Sequence, residues 1–335
     1  MSSTPLQGMR VLDLSQQLPG PYATVLLASL GASVTKVEPP AGDAARHLDP
    51  EMFAHINAGK SSITLNLKDH IARERLYGMV ADTDVFIEGF RPGVTTRLGC
   101  DYETIRAIRP NIVYCSISGF GQTGPLASHP THDLSLQAMV GALPEDAEIS
   151  RIGVPWVDLA TGTTAALAIT AAWHAGDGIY LDMSMLDSAV AWSAVKPAAV
   201  HDIEPTYGTF ATADGEKVVV AILEDAMWQR MCIALGWHDW AEDSDYLHYL
   251  DRRRLAFQIR ERLVPALRLL PYSGVLDLAR DYDIPIGPIQ DMGNIDSREQ
   301  IMSRFPEELP AWRSCVPLPH VLMQPLGNAP ELTAS

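Results

Sequence analysis

The chain has 335 residues, 47% of them hydrophobic, with a formal net charge of −16 and a pI near 4.9. That is enough apolar material for two domains, or for one large domain with an excursion. The acidic balance excludes bulk attraction to nucleic acid or to anionic membrane surfaces, so an anionic ligand must be held by a local cluster of Lys, Arg or backbone N–H groups.

Met9 to Leu14 reads as a first strand. Leu18-Pro19-Gly20-Pro21 is a turn, with Pro21 suited to the first turn of a helix over Tyr22–Leu30 that Gly31 closes. Ala32 to Glu38 is a second strand, stopped by Pro39-Pro40. Short connections make a parallel strand–helix–strand unit. Its turn lacks the Gly-x-Gly-x-x-Gly pattern, which argues against a nicotinamide cofactor. Gly59-Lys60-Ser61 suggests a phosphate loop, but Ala54 and His55 stand where the leading glycine is needed. Lys60 on that turn is still a possible phosphate contact. Ile63 to Leu67 is an alternating strand, His70 to Val80 a helix, and Asp84 to Glu88 a strand. Arg91, in the turn Gly89-Phe90-Arg91-Pro92-Gly93, is either an exposed loop cation or an anion contact at a strand's carboxyl end. Tyr102 to Ile108 is a helix and Ile112 to Ile117 a strand.

A glycine-rich stretch from Ser116 then leads to His132-Asp133 and on to Asp158. Two proton-transfer groups on loops between apolar elements suit acid/base chemistry. Asp158 has a plain alternative as the N-cap of an Ala-rich helix over Thr164–His174. A strand over Ile179–Met183 and a helix over Met185–Ala199 follow.

From Tyr207 the pattern changes. Asp214-Gly215 marks a hairpin whose return strand runs from Val218 to Leu223. Helices are expected over Asp225–Leu235, over Arg252–Leu270 with a break at Pro265, over Ser273–Tyr282 and over Ile295–Ser303, with extended chain over Ile284–Ile289. The Arg252-Arg253-Arg254 run reads as a solvated helix start, and the tail from Pro306 as an extended strap. Cys100, Cys115, Cys232 and Cys315 are widely spaced and read as reduced thiols of a cytoplasmic protein rather than a metal set. No secretory signal and no membrane span is read, since no window reaches the ~18–20 apolar residues that spanning needs.

These landmarks form a series. Leu18-Pro19-Gly20-Pro21, Gly31 to Pro39, Gly59-Lys60-Ser61, Arg91-Pro92-Gly93, Ser118 to Pro125 and His132-Asp133-Leu134 occur in that order. Together they resemble the class III coenzyme A transferase family (CaiB/BaiF type), which also contains the α-methylacyl-CoA racemases. The resemblance implies an α/β fold: a Rossmann-like parallel sheet domain over residues 1–200, completed by 290–335, and a smaller α+β domain over 206–285. It also implies an interlocked homodimer.

In the racemases a His and an Asp flank the α-carbon of an acyl-CoA, and a Glu supports the His. His132, Asp158 and Glu224 match those positions. The reaction implied is inversion of a 2-methylacyl-CoA by two-base proton transfer through an enolate. The alternative is an acyl-CoA:carboxylate CoA-transferase with Asp158 as nucleophile, for which His132 has no evident use. For the coenzyme, the resemblance points to Pro39 on the adenine side. It puts Lys60, Thr64, Leu65, Asn66, Leu67 and Arg91 near the nucleotide and phosphates, and Pro130, Thr131, Asp133, Leu134 and Ser135 near pantetheine. It implies no cofactor beyond coenzyme A as part of the substrate, with no metal and no nicotinamide, and no nucleic-acid or membrane partner.

Overall fold

The computed structural model describes residues 4–143, 153–195, 204–289, 303, 316–317 and 322–333. The chain forms two compact units, residues 1–198 with 308–335, and residues 199–307. The first is built from β1 (Arg10–Asp13), α1 (Pro19–Ser29), β2 (Ser33–Glu38), α2 (Ala45–Leu48), α3 (Pro50–Ile56) and β3 (Ser61–Thr64). There follow α4 (His70–Val80), β4 (Val85–Glu88), α5 (Val94–Leu98), α6 (Tyr102–Ile108) and β5 (Val113–Ser118). The unit continues through α7 (Asp133–Met139), α8 (Trp156–Ala175), β6 (Ile179–Ser184) and α9 (Met185–Val195).

Its six strands pair in the order β3-β2-β1-β4-β5-β6, all parallel, with Val11 opposite Val34 on one side and Val85 on the other. Both faces are covered, which is why the strands read as near-continuous apolar runs. On one face Val11, Val34, Ile87, Cys115 and Ile117 pack with Leu27 of α1, Ile169 of α8 and Ala189 of α9. On the other, Leu12, Val37, Phe86 and Tyr114 pack with Leu76 of α4 and Ile105 of α6. The small residues of α8 have a packing reason. A Cβ on Gly162 would stand 2.6 Å from the Pro19 carbonyl oxygen, so α8 and α1 meet nearly backbone to backbone.

The strand order reverses between β1 and β4, and in such sheets a crevice opens there at the carboxyl ends of the strands. The end of the chain returns to this unit. Gly59 N–H donates to Asn328 O (3.2 Å), Arg46 donates to Pro330 O (2.9 Å), and the Thr64 hydroxyl donates to Thr333 O (2.7 Å).

The second unit holds an antiparallel sheet of β7 (Tyr207–Ala211), β8 (Lys217–Ala221) and β9 (Ile286–Pro288), in that order. Among the described residues six helices accompany it: α10 (Asp225–Ala234), α11 (His238–Glu242), α12 (Ser244–Leu247), α13 (Tyr249–Arg254), α14 (Ala256–Arg268) and α15 (Tyr272–Asp281). Two sequence expectations are corrected here. The break falls at Leu255, and α14 runs through Pro265. Pro265 and the residue four before it, Glu261, are both exposed, so the carbonyl that loses its partner faces water. Arg252 is not solvated but fully buried, donating to Tyr246 O, Leu247 O and Leu223 O and pairing with Asp225 at 2.9 Å. The helix expected over Ile295–Ser303 lies outside the described residues except for Ser303, and residues 196–199 of the helix expected over Met185–Ala199 lie outside them as well.

Candidate active site

At the strand ends of the first unit lies a cavity of about 320 Å³. Ser15 to Gln17 close it from the end of β1, Gly89 to Pro92 from β4, and Ser118-Gly119 from β5. The far wall is Ala127 and the segment His129 to His132, with Asp158 on the first turn of α8. A second cavity of about 150 Å³ opens on the outer strands, lined by Val37 to Pro40, Leu65 to Lys68, Leu14 and Leu98. Gln16 and Phe90 line both cavities and so form a wall between them.

The structure brings His132, Arg91, Pro130 and Thr131 to the first cavity, and Pro39, Leu65, Asn66 and Leu67 to the second. Lys60 corrects the sequence reading. It is buried, with its Nζ bound to Asp13 Oδ2 (3.2 Å), Pro21 O (2.9 Å) and Asn57 Oδ1 (2.9 Å). All three protons are used, so it cannot meet a phosphate. Thr64 is likewise committed to Thr333 and lines neither cavity. Leu134 and Ser135 sit exposed on α7, outside both. Asp133 is near the site but turned to another task. Its Oδ1 accepts from the N–H groups of Val157 (2.8 Å) and Asp158 (3.1 Å), and its Oδ2 from Gln137.

This corrects the reading of Asp158 as a helix cap. Asp133, from another helix, satisfies the free N–H groups of α8, which begins two turns before the expected Thr164. The Asp158 carboxylate is thereby released from capping, and it has no hydrogen bond or ion pair among the described residues. Burial, and after it the charge of Asp133, push its pKa up to about 7. The backbone that Asp133 caps thus carries a carboxylate tuned for chemistry near neutral pH. Glu224 lies in the second unit, exposed, immediately before α10.

The loop facing Asp158 is held from beneath by a buried set of charges that sequence reasoning missed. Lys36 Nζ pairs with Asp43 Oδ2 (2.8 Å) and donates to Ser15 O (2.9 Å). Asp43 Oδ1 accepts from Gln17 N–H (3.1 Å), and Asp13 from Ser15 N–H and hydroxyl and from Thr24. Burial would raise the Asp13 carboxyl, but Lys60 and Lys36 outweigh it and hold it below its usual value. Gln17 has a φ of +62°, a conformation side chains rarely adopt, kept in place by these bonds. Charged residues at the ends of otherwise apolar strands were the available signal.

Among the described residues, the cavities hold two cations with no side-chain partner to block an anion: Arg91 in the first and Lys68, also missed, in the second. Arg46 is consumed by Glu38 in a two-pronged pair (2.8 and 2.7 Å). Among the described residues no group of three His, Cys, Asp or Glu side chains is placed to hold a metal ion. Nor is any described helix long and apolar enough to cross a membrane.

The fold is thus a doubly wound parallel sheet with a two-chambered crevice at its switch point and Asp158 in the crevice wall. The model of "CoA-transferase family III" matches residues 6–310, and the chain belongs to that family. It is an enzyme of the family III CoA-transferase kind. It is 34% identical to an acetyl-CoA:oxalate CoA-transferase of Acetobacter aceti, over 90% of this chain and 84% of that one. It is also 34% identical to a succinyl-CoA:glutarate CoA-transferase of Mus musculus, over 90% and 76%. A CAIB/BAIF family protein from Brucella suis superposes with a TM-score of 0.82 at 28% identity, covering 99% of this chain and 97% of that one. The Acetobacter and mouse relatives bear transferase names, so the racemase expectation is not supported by them and its alternative fits better.

Proposed function

We propose that the protein is an acyl-CoA:carboxylate CoA-transferase with Asp158 as nucleophile. The observation that carries this reading is the Asp158 carboxylate: it lines the cavity, is freed from capping by Asp133, and is raised by burial and that neighbour's charge to about 7. A carboxylate that is less stabilised by its surroundings is a better nucleophile once ionised.

The reaction runs through covalent exchange. An Asp158 oxygen attacks the thioester carbonyl, the C–S bond breaks, and coenzyme A leaves as thiolate, giving an acyl–aspartyl anhydride. The thiolate then attacks the aspartyl carbonyl, the anhydride C–O bond breaks, and the first carboxylate departs. Asp158 is left as a coenzyme A thioester. An incoming carboxylate reverses both steps and leaves with the coenzyme. The coenzyme's nucleotide end would occupy the second cavity beside Pro39, Leu65, Asn66, Leu67 and Lys68, with Arg91 toward the phosphates.

The names of the relatives support small dicarboxylates, such as oxalate and glutarate, as the exchanging acids. A cytoplasmic homodimer belongs to the same reading. The dimer part of that reading is supported by Leu167 on α8 and Trp192 on α9, apolar side chains that are exposed in the single chain.

The test is hydroxylamine trapping during turnover with succinyl-CoA. An Asp158 hydroxamate found by peptide mass spectrometry supports the reading; no adduct on Asp158, with turnover intact, sinks it. One observation keeps the racemase reading as a second: His132 lines the same cavity as Asp158. That reading predicts α-deuterium in a 2-methylacyl-CoA recovered from heavy water.

A further inference from the structure

The central strand β4 ends in an acid that the exchange reaction does not use. Glu88 is 2% exposed, and no salt bridge reaches it among the described residues. An apolar side chain would satisfy the strand ladder equally well, so the two bonds the carboxyl makes are what it adds. Oε1 accepts from the Ser116 hydroxyl on β5, which in turn accepts from the Tyr180 hydroxyl on β6 at 3.1 Å. Oε2 accepts from the N–H of Phe90 at 2.7 Å. A chain of hydrogen bonds thus runs across β6, β5 and β4 and ends on the backbone of the turn after β4. That turn carries Phe90, which walls both cavities, and Arg91, the Lys/Arg cation lining the larger one among the described residues.

We infer that Glu88 is a positioning residue: it fixes the Gly89–Arg91 turn so that Phe90 and Arg91 meet the coenzyme in a set geometry. The inference rests on the coenzyme-binding reading above. The groups facing Glu88 give the device a pH response. Burial lifts its carboxyl to about 7 against the pull of the Ser116 and Phe90 bonds, and Asp182 on β6 adds to the rise. Tyr114, Tyr180, Cys100 and Cys115, the other titratable groups that feel its charge, are all held above their usual values and stay neutral at neutral pH. As the pH passes through 7, a negative charge with no cation partner develops behind a turn that serves an anionic ligand, and affinity falls.

The test is calorimetric titration of the full chain with free coenzyme A between about pH 6 and pH 8.5. Glu88→Ala, checked for a native melt, is expected to bind roughly fivefold more weakly than wild type at pH 6. Glu88→Gln can accept from Phe90 and donate to Ser116, so it keeps the geometry and loses the titration; its affinity is expected to show a shallower pH slope than wild type. The ligand's own ionisation and that of Asp158 are common to both proteins and cancel in the comparison. Wild-type affinity in a folded Glu88→Ala overturns the inference. If that variant does not fold, an identical pH slope in Glu88→Gln and wild type overturns it. Absence of coenzyme A binding by the wild type would instead overturn the functional reading beneath it.

Discussion

Replacing Asp158 by Asn should make the protein more stable and nearly inactive, and the stability gain should depend on pH in a stated way. The rise of the carboxyl from its ordinary 3.8 to about 7 corresponds to an upper figure of about 4 kcal/mol, at ~1.4 kcal/mol per tenfold. The residue is only partly shielded from water, so screening reduces this to on the order of 2 kcal/mol. The folded value is the higher one. Below pH ~4 both states are protonated and the substitution changes nothing. Between ~4 and ~7 the unfolded chain ionises while the folded chain keeps its proton, so wild type loses stability relative to the variant. Above ~7 the difference is complete. Scanning fluorimetry across pH 4 to 9 should therefore give superimposed melting temperatures at the acid end and a gap of roughly 4 °C or more at the alkaline end. Transferase activity should fall on the order of 10³-fold or more, since no nucleophile remains. Asp158→Ala guards against slow deamidation of the Asn back to Asp. A constant melting-temperature gap at every pH, or an active Asn variant, would refute the reasoning.

Lys60→Met should cost about 3–5 kcal/mol in urea unfolding, because it strips one counter-charge from the buried Asp13 carboxylate; a loss below about 1 kcal/mol would show that Lys36 alone suffices. Gly162→Val should destabilise the first unit by about 1–3 kcal/mol through overpacking against Pro19 and Tyr22, read from the same melts; a neutral effect would mean that α1 and α8 can part. His132→Ala should retain transferase activity to within about tenfold while abolishing any α-proton exchange with solvent; loss of the transferase reaction itself would assign His132 a role in acyl exchange.

The strands of the first sheet and helices α1, α4 and α6 were legible in the sequence for a physical reason. Buried parallel strands are short apolar runs, and Gly31, Pro39-Pro40 and Gly89 punctuate them. What escaped was set by contacts distant in sequence. Asp158 precedes an Ala-rich helix and reads locally as its cap, but the cap is Asp133, and only the approach of α7 to α8 shows it. Lys60 on a glycine turn reads as an exposed cation, because nothing nearby in sequence reveals that Asp13 waits beneath it. Thr64 is taken by Thr333, at the far end of the chain. Lys68 follows directly on the Leu65–Leu67 segment that was singled out, so extending that segment by one residue would have found it. Charged side chains inside apolar strands, Asp13, Lys36 and Glu88, were the general signal, since such residues are kept buried only where they have partners.

Those same residues separate two uses of a buried acid at one site. Asp158 and Glu88 both stand near the carboxyl ends of the sheet, and burial lifts both to about 7. Their partners differ. Glu88 is bonded at both oxygens, to Ser116 and to Phe90, and so is fixed in place whichever way its proton goes. Asp158 has neither bond, and the neighbour that raises it, Asp133, spends its own oxygens on the backbone of α8 instead. A raised acid with full hydrogen bonding serves geometry, because attack on a substrate would require breaking those bonds first. A raised acid without them has lone pairs free for a carbonyl carbon. The distribution of hydrogen bonds, rather than the titration, is therefore what supports the proposed role of Asp158 as nucleophile.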